Sequence, residues 1–423
     1  MLSTGEKKDT VKAMVRTCRL LRRMNQNNPT ARRSESLYYE MLDIYYSRLA
    51  LAREQKQFIA AHTVFFPAEI LYAMDLVPMH SEVSTWMTAL FLEYQSDMLA
   101  AGAELGLTPE ICSAHRGLAG AFALQALPRP DVVLWTNLIC DNTAKSGELL
   151  MKLNDCPGFF LDHPFQNTKI EEKYMINEIT EMVRFLETKS GHKMNWDKLS
   201  EIISRTNHEI NLLHEINELR KAVPSPFYNK DFLPLLTIDY MFPGQPEAIV
   251  YLEALRDEMQ DMIRQGKGAA PREQYRLMTL FIPPMNLMGF LENLSRDYGA
   301  MSVVEPLFTL WKPGQLDPGH PLDSVVQKSF MIPETHNMYG PLGQETLNQI
   351  VTSARDYKVD GAVYWAHIGC RHTCAAVKLI KDTLNEIDIP LLTIDCDIID
   401  PTISPESEIR EKMERFFELL DDR

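Results

Sequence analysis

The chain has no Gly-x-x-x-x-Gly-Lys-Ser/Thr loop, no Gly-x-Gly-x-x-Gly turn and no Gly-x-Ser-x-Gly elbow. It therefore carries no obvious ATP site and no esterase nucleophile of its own. It has no uninterrupted apolar run long enough to cross a bilayer, and acids interrupt its first twenty residues where a signal peptide would need an apolar core. A cytoplasmic protein without a membrane partner is expected. Positive charge is also short: 43 basic against 58 acidic residues leave a net −15, which argues against a general nucleic-acid binder but leaves room for a locally basic cleft. No short internal repeat and no tight Cys-x-x-Cys pair is present. The seven cysteines are an odd number scattered over the whole chain, so they read as thiols or metal ligands rather than as a disulfide framework.

What is present is ordinary for a globular enzyme. At 423 residues, 45% of them hydrophobic, the chain is too long for one typical core, and two or three domains are expected. Residues 1–60 read as a helical, polar N-terminal segment with a break at "NQNNPTARRS". Residues 61–190 read as a first α/β domain, with strand-like runs in "TVFF", "DVVLWT" and "GFFL". Pro67 and Glu69 suit the first turn of a helix, by fixed backbone angle and by charge respectively. Asp141 or Asn142 is a candidate cap for the helix after "DVVLWT". Residues 191–270 read as a helical linker region. Ile179, Met182, Val183 and Leu186 form one apolar stripe, and Leu199, Ile202, Ile203, Thr206, Ile210 and Leu213 another. "VPSPF" at 223–227 breaks the helical pattern. Residues 271–423 read as a second α/β domain, with strands in "YRLMTLFIPP", "MSVVEP", "GAVYWA" and "IPLLTIDC". Apolar strands alternating with helices predict parallel sheets covered on both faces, and the shared layout of the two halves points to a duplicated pair of domains.

Ligands of open parallel sheets bind beyond the carboxyl ends of the strands. Cys140 and Cys370 fall at that position, and Cys112 precedes a small-residue helix in "EICSAHRGLAG". Two readings stand. Three thiolates meeting in a cleft suit a metal or iron–sulfur cluster. Alternatively, each is a small buried hydrophobe. Cys374 is a further ligand or a core thiol, Cys396 reads as core, and Cys18 and Cys156 sit in polar or loop contexts. His115, Arg116, Arg371 and His372 each follow a candidate ligand closely. They would hold a phosphate or carbonyl and favour thiolate over thiol, or else lie exposed at helix starts. Glu69, His62 and Thr63 are candidates for proton transfer, with helix capping as the plainer account of Glu69. The string "DCDIIDP" reads as a strand end turning into a capped helix, or as a hard-metal site.

Taken in order, "FFPAEILYAMDLVPM", "ICSAHRGLAG", "DVVLWTNLICDNT", "LDHPF", "VDGAVYWAHIGCRHTC" and "IPLLTIDCDIIDP" resemble the 2-hydroxyacyl-CoA dehydratase D-component family, which includes benzoyl-CoA reductase subunits. The resemblance covers about residues 60–423, and "GCRHTC" and "DCDIIDP" look closer to the reductase branch. It implies two flavodoxin-like (Rossmann-like) parallel-sheet domains facing each other, with added helices. It implies a 4Fe–4S cluster on Cys112, Cys140 and Cys370 with one iron open, and it leaves FMN as an open addition. Arg116 and Arg371 would contact the substrate or its phosphates. A related second subunit and a separate ATP-hydrolysing iron–sulfur activator are the implied partners, which suits the missing ATP loop. The expected activity is single-electron chemistry on an acyl-CoA thioester, by a ketyl that expels a 2-hydroxyl or by reduction of an aromatic ring. A non-catalytic partner or electron-relay subunit, and an α/β enzyme with buried thiols and no metal, are the alternatives.

Overall fold

The computed structural model describes residues 9–333 and 344–423; residues 1–8 of the expected N-terminal segment lie outside it. The chain opens with a helical pair, α1 (Thr10–Gln26) and α2 (Arg33–Leu51). The Asp9 side chain caps α1 by accepting from the Lys12 N–H at 3.2 Å. Cys18, read from its polar neighbours as a weak position, lies fully buried between these helices. Its neighbours in sequence are polar because they occupy the other faces of the helix.

The first α/β half runs β1 (Ile59–His62), α3 (Ala68–Ala73), β2 (Val77–His80), α4 (Ser81–Leu92), α5 (Gln95–Glu104), α6 (Ser113–Ala123), β3 (Val132–Thr136), α7 (Thr143–Leu153) and β4 (Gly158–Leu161). Four helices follow: α8 (Lys169–Ser190), α9 (Trp196–Leu219), α10 (Phe232–Met241) and α11 (Pro246–Arg264). The second half runs β5 (Tyr275–Leu280), α12 (Met288–Tyr298), β6 (Ala300–Val304), α13 (Pro321–Met331), α14 (Gln344–Asp356), β7 (Gly361–His367), α15 (Arg371–Asn385), β8 (Leu391–Cys396) and α16 (Glu406–Asp421).

Two four-stranded sheets result, ordered β2-β1-β3-β4 and β6-β5-β7-β8. Every pairing in both is parallel. Helices flank each sheet, and the identical order is consistent with a duplicated Rossmann-like arrangement. The central strands β1, β3, β5 and β7 are buried along their whole length, which explains their unbroken apolar runs.

The helical stripes read from the sequence are the buried faces of α8 and α9. The stretch divides where Gly191 takes φ 75°, and Asn195 then caps α9 by accepting from Lys198 N–H at 3.0 Å. α4, α5 and α10 have no counterpart in the sequence reading. α4 and α10 are buried nearly all round, so no apolar stripe marks them. α5 presses on α6 backbone to backbone: a Cβ on Gly120 would come within 1.8 Å of Met98 O. Among the described residues no helix is long and apolar enough to cross a membrane.

Candidate functional site

In each sheet the chain leaves the first central strand in one direction and returns on its other side. The crevices beyond β1/β3 and beyond β5/β7 are thus the two topological switch points, where open α/β sheets take ligands. One cavity of about 360 Å³ draws its walls from all four strand ends: Phe65 after β1, Ile139 and Cys140 after β3, Phe281 after β5, and Cys370 after β7. That volume lies in the range of small-molecule sites.

The wall is built with backbone strain. Phe65, Ile139 and Phe281 hold φ of 60°, 64° and 64°, left-handed values that cost bulky side chains on the order of 1–3 kcal/mol each. Each is a residue that leaves a central strand and turns an apolar side chain to the same cavity. Trp86, Tyr240 and Phe308 extend the aromatic lining.

Cys112, Cys140 and Cys370 all line this cavity. Cys112 and Cys370 stand at the N-cap positions of α6 and α15. The turn before Cys370 lies against the start of α6, for a Cβ on Gly369 would sit 2.4 Å from Cys112 N and 2.5 Å from its Cα. Asn142 donates to Gly369 O at 3.2 Å and ties in the third segment. Asn142 holds the N-cap place of α7, yet neither it nor Cys112 or Cys370 makes a side-chain cap bond; the Asn142 amide is engaged with Gly369 instead. Gly369→Ala is expected to cost about 1–3 kcal/mol, because two backbones must part, and to weaken any ligand held between them. Urea denaturation checks it, and an unchanged midpoint would show that the turn has room.

The cofactor expectation, a 4Fe–4S cluster with FMN as an open addition, is corrected here. Among the described residues no group of three or more His, Cys, Asp or Glu side chains is placed to hold a metal ion. Burial pushes the Cys140 thiol up to about 12 and Cys112 well above its ordinary range, with the neighbouring thiols and Asp397 adding to the effect at Cys112, so neither is a free thiolate. Nor does His115 favour the thiolate. Its Nε2 lies 3.4 Å from Cys140 Sγ, but burial lowers its pKa to about 4 and leaves it neutral.

The other expected residues divide. Arg371 lines the cavity, exposed, with its Nε 2.9 Å from Asp141. Arg116 is buried against Asp400 at 2.5 Å and is not part of the wall. Glu69, on α3, binds Lys328 Nζ at 2.7 Å beside a second, much smaller cavity. His62 and Thr63 are buried at the end of β1, behind the wall. Cys374 is exposed rather than core, and Cys396 is buried.

The residue that sequence reading missed is Glu82. It sits in the first turn of α4, right after β2, is 1% exposed and lines the cavity. Neither carboxyl oxygen has a side-chain hydrogen-bond partner. Oε2 is 3.8 Å from His80 Nδ1 and Oε1 is 4.0 Å from His115 Nδ1. Burial pushes its pKa up to about 8, against the pull of the Glu82 and Val64 backbone N–H groups, so it holds a proton at neutral pH. A carboxyl kept neutral in an apolar wall is a hydrogen-bond and proton donor. Its only signal in the sequence is a glutamate two residues past a strand end, in "PMHSE".

Fold and cavity together define a two-sheet α/β protein with a cavity at a double switch point. The family model described as "2-hydroxyglutaryl-CoA dehydratase, D-component" matches residues 63–420, and the chain belongs to that family. It is 24% identical over 416 residues to a benzoyl-CoA reductase subunit of Thauera aromatica, covering 91% of this chain and 94% of that one. It is 21% identical over 398 residues to the (R)-2-hydroxyisocaproyl-CoA dehydratase alpha subunit of Clostridioides difficile, covering 91% and 95%. To the lactoyl-CoA dehydratase alpha subunit of Anaerotignum propionicum it is 21% identical over 307 residues, 70% of each chain. The family places the chain among enzyme subunits of the dehydratase and reductase type.

Proposed function

We propose that this chain is the acyl-CoA-binding subunit of a 2-hydroxyacyl-CoA dehydratase or aryl-CoA reductase, and that its cavity takes the acyl end of the thioester. The observation that carries the reading is an aromatic-walled cavity with one buried, unpaired, protonated carboxyl, Glu82. An apolar or aryl acyl group is desolvated against Phe65, Phe281 and Phe308, while Glu82 donates to the thioester carbonyl or to a departing 2-hydroxyl. Proton handling thus passes from Glu69, His62 and Thr63 to Glu82. Arg371, exposed at the rim, meets the phosphates of CoA.

In this reading the reaction is single-electron reduction of the acyl group. The electron comes from a separate ATP-hydrolysing activator, and a related second subunit completes the complex. That relatives of this chain are named as subunits supports the second point. The flavodoxin-like pairing of two domains, 61–190 and 271–423, about the cavity belongs to the same reading and is supported by the identical strand orders.

Calorimetric titration with benzoyl-CoA, lactoyl-CoA and free CoA tests the proposal. At least one thioester is expected to bind about tenfold or more tighter than free CoA, since burying even a small acyl group is worth that much. Thioesters that bind no better than free CoA would sink it.

A further inference from the structure

Behind the aromatic wall lies a side cavity of about 20 Å³, room for about one water molecule. Phe65 and Tyr240 line both cavities, and their rings meet edge to face with centroids 5.4 Å apart. The partition is thus a single pair of rings. Tyr240 in turn neighbours His80, with ring centroids 6.0 Å apart, and His80 Nδ1 lies 3.8 Å from Glu82 Oε2. Two rings therefore separate the side cavity from the surroundings of the carboxyl that gives up a proton in the proposed reaction.

The side cavity has a charged lining. Glu69 of α3, Asp239 of α10, and Lys328 and Ser329 of α13 face it, and Glu209 of α9 is close enough to act on Lys328. Lys328 Nζ binds Glu69 Oε1 at 2.7 Å, and Glu209 accepts from Gly244 N–H at 2.9 Å. Two further groups pack around the cluster. Arg205 donates to Gly244 O, and His163, neutral at physiological pH, meets Ser329 Oγ at 2.9 Å. One ammonium thus serves three carboxyls. In a desolvated cluster the acids in excess keep protons, and burial holds Asp239 well above the usual carboxyl range. Glu69 is fully buried, yet its Oε2 has no hydrogen-bond partner. Buried polar atoms are rarely left so, and one water in the side cavity would satisfy it.

We propose that the side cavity is a proton antechamber, in which Asp239 and Glu69 share one water and resupply Glu82 past the Phe65–Tyr240 pair. This rests on the acyl-CoA reading, which makes Glu82 the donor to the substrate. Once Glu82 has given its proton to the acyl group or to the departing hydroxyl, it is a carboxylate. The Asp239 carboxyl then breaks its O–H bond and passes the proton through the water to Glu82. The Asp239 carboxylate left behind sits beside the Lys328 ammonium and takes a proton back from solvent, with which both keep partial contact. No electron moves in this step. Lys328 is a positioning residue: its charge eases the release of the proton from Asp239.

Turnover of the accepted acyl-CoA by the complete complex, with partner subunit and activator, tests the antechamber. Asp239→Asn is expected to lower kcat about tenfold or more at pH 8, with KM and thioester affinity unchanged, and to lower it less at pH 6, where solvent itself supplies protons. Raising imidazole buffer at fixed pH and ionic strength is expected to restore the variant's rate and to leave the wild type unchanged, because a diffusible acid replaces the lost donor. A merely structural defect would not respond to buffer. Glu69→Gln interrupts the same path and is expected to show the same buffer-restored loss, which keeps the test open if Asp239→Asn fails to fold. Wild-type kcat in the variants, a loss that sits in KM, or a loss that imidazole leaves in place would overturn the proposal. Benzoyl-CoA and lactoyl-CoA titrated alongside separate the two readings. Thioester binding with undiminished turnover in the variants refutes the antechamber alone. Absence of thioester binding refutes the acyl-CoA reading, and the antechamber with it.

Discussion

Replacing Glu82 by glutamine is expected to lower kcat/KM for the accepted acyl-CoA by about 100- to 10,000-fold, the range lost when a positioned proton donor is removed. The amide keeps the shape and one donor, so thioester binding should change far less than turnover. The same variant has a signature that needs no substrate. The folded carboxyl keeps its proton up to about pH 8, while the unfolded one loses it near 4.5. Through that window the folded state binds one more proton, so this group's contribution to stability is lost as pH rises, by about 1.4 kcal/mol per pH unit. Below pH 6.5 the neutral buried histidines, among them His62 and His115 with pKa near 4, act in the opposite sense. The clean interval is therefore pH 6.5 to 8. Urea denaturation across it should show the wild type losing about 1.4 kcal/mol per unit more than Glu82→Gln. Parallel curves would mean that Glu82 is ionised in the folded protein, and the proton-donor role would fall with them.

Lys328→Met is expected to cost about 3–5 kcal/mol at pH 7.5, since it leaves a buried carboxylate without its cation. Lys328, on α13, binds Glu69 of α3 and also neighbours Asp239 and Glu209. Burial alone would lower the lysine's pKa; the carboxylates outweigh it and raise it. Burial pushes Asp239 up to about 7 and Glu209 well above its usual range, so the single ammonium serves three acids. Without it Asp239 loses the charge that draws its pKa down and holds its proton to higher pH. The deficit of the variant should then shrink as pH falls toward 5.5, a sign opposite to that of a lost packing contact. Denaturation midpoints at the two pH values measure it, and a loss that does not vary with pH would assign the effect to packing.

Much of this architecture was legible because parallel strands buried on both faces leave unbroken apolar runs, as in "DVVLWT" and "GAVYWA". The exposed faces of α8 and α9 likewise leave a helical stripe. α4 and α10 were illegible for the converse reason: a helix covered nearly all round has no polar face to set its period. The three cysteines were found by their place at strand ends and helix starts, and the fold does bring them to one cavity. Their chemistry was not found, because thiol or thiolate, ligand or wall, is set by burial and by spacing in three dimensions. Arg116 read as a substrate contact and Glu69 as a helix cap or proton-transfer group; their partners Asp400 and Lys328 lie more than two hundred residues away in the chain.

The amino-acid sequence by itself determined the alternation of strands and helices, the family, and the segments whose ends meet at the site, since these depend on local hydrophobic period and on ordered motifs. Tertiary structure alone decided which side chains became acids, which became ion pairs and which formed walls. A carboxyl such as Glu82 acquires its proton only when the fold withholds both water and a partner from it.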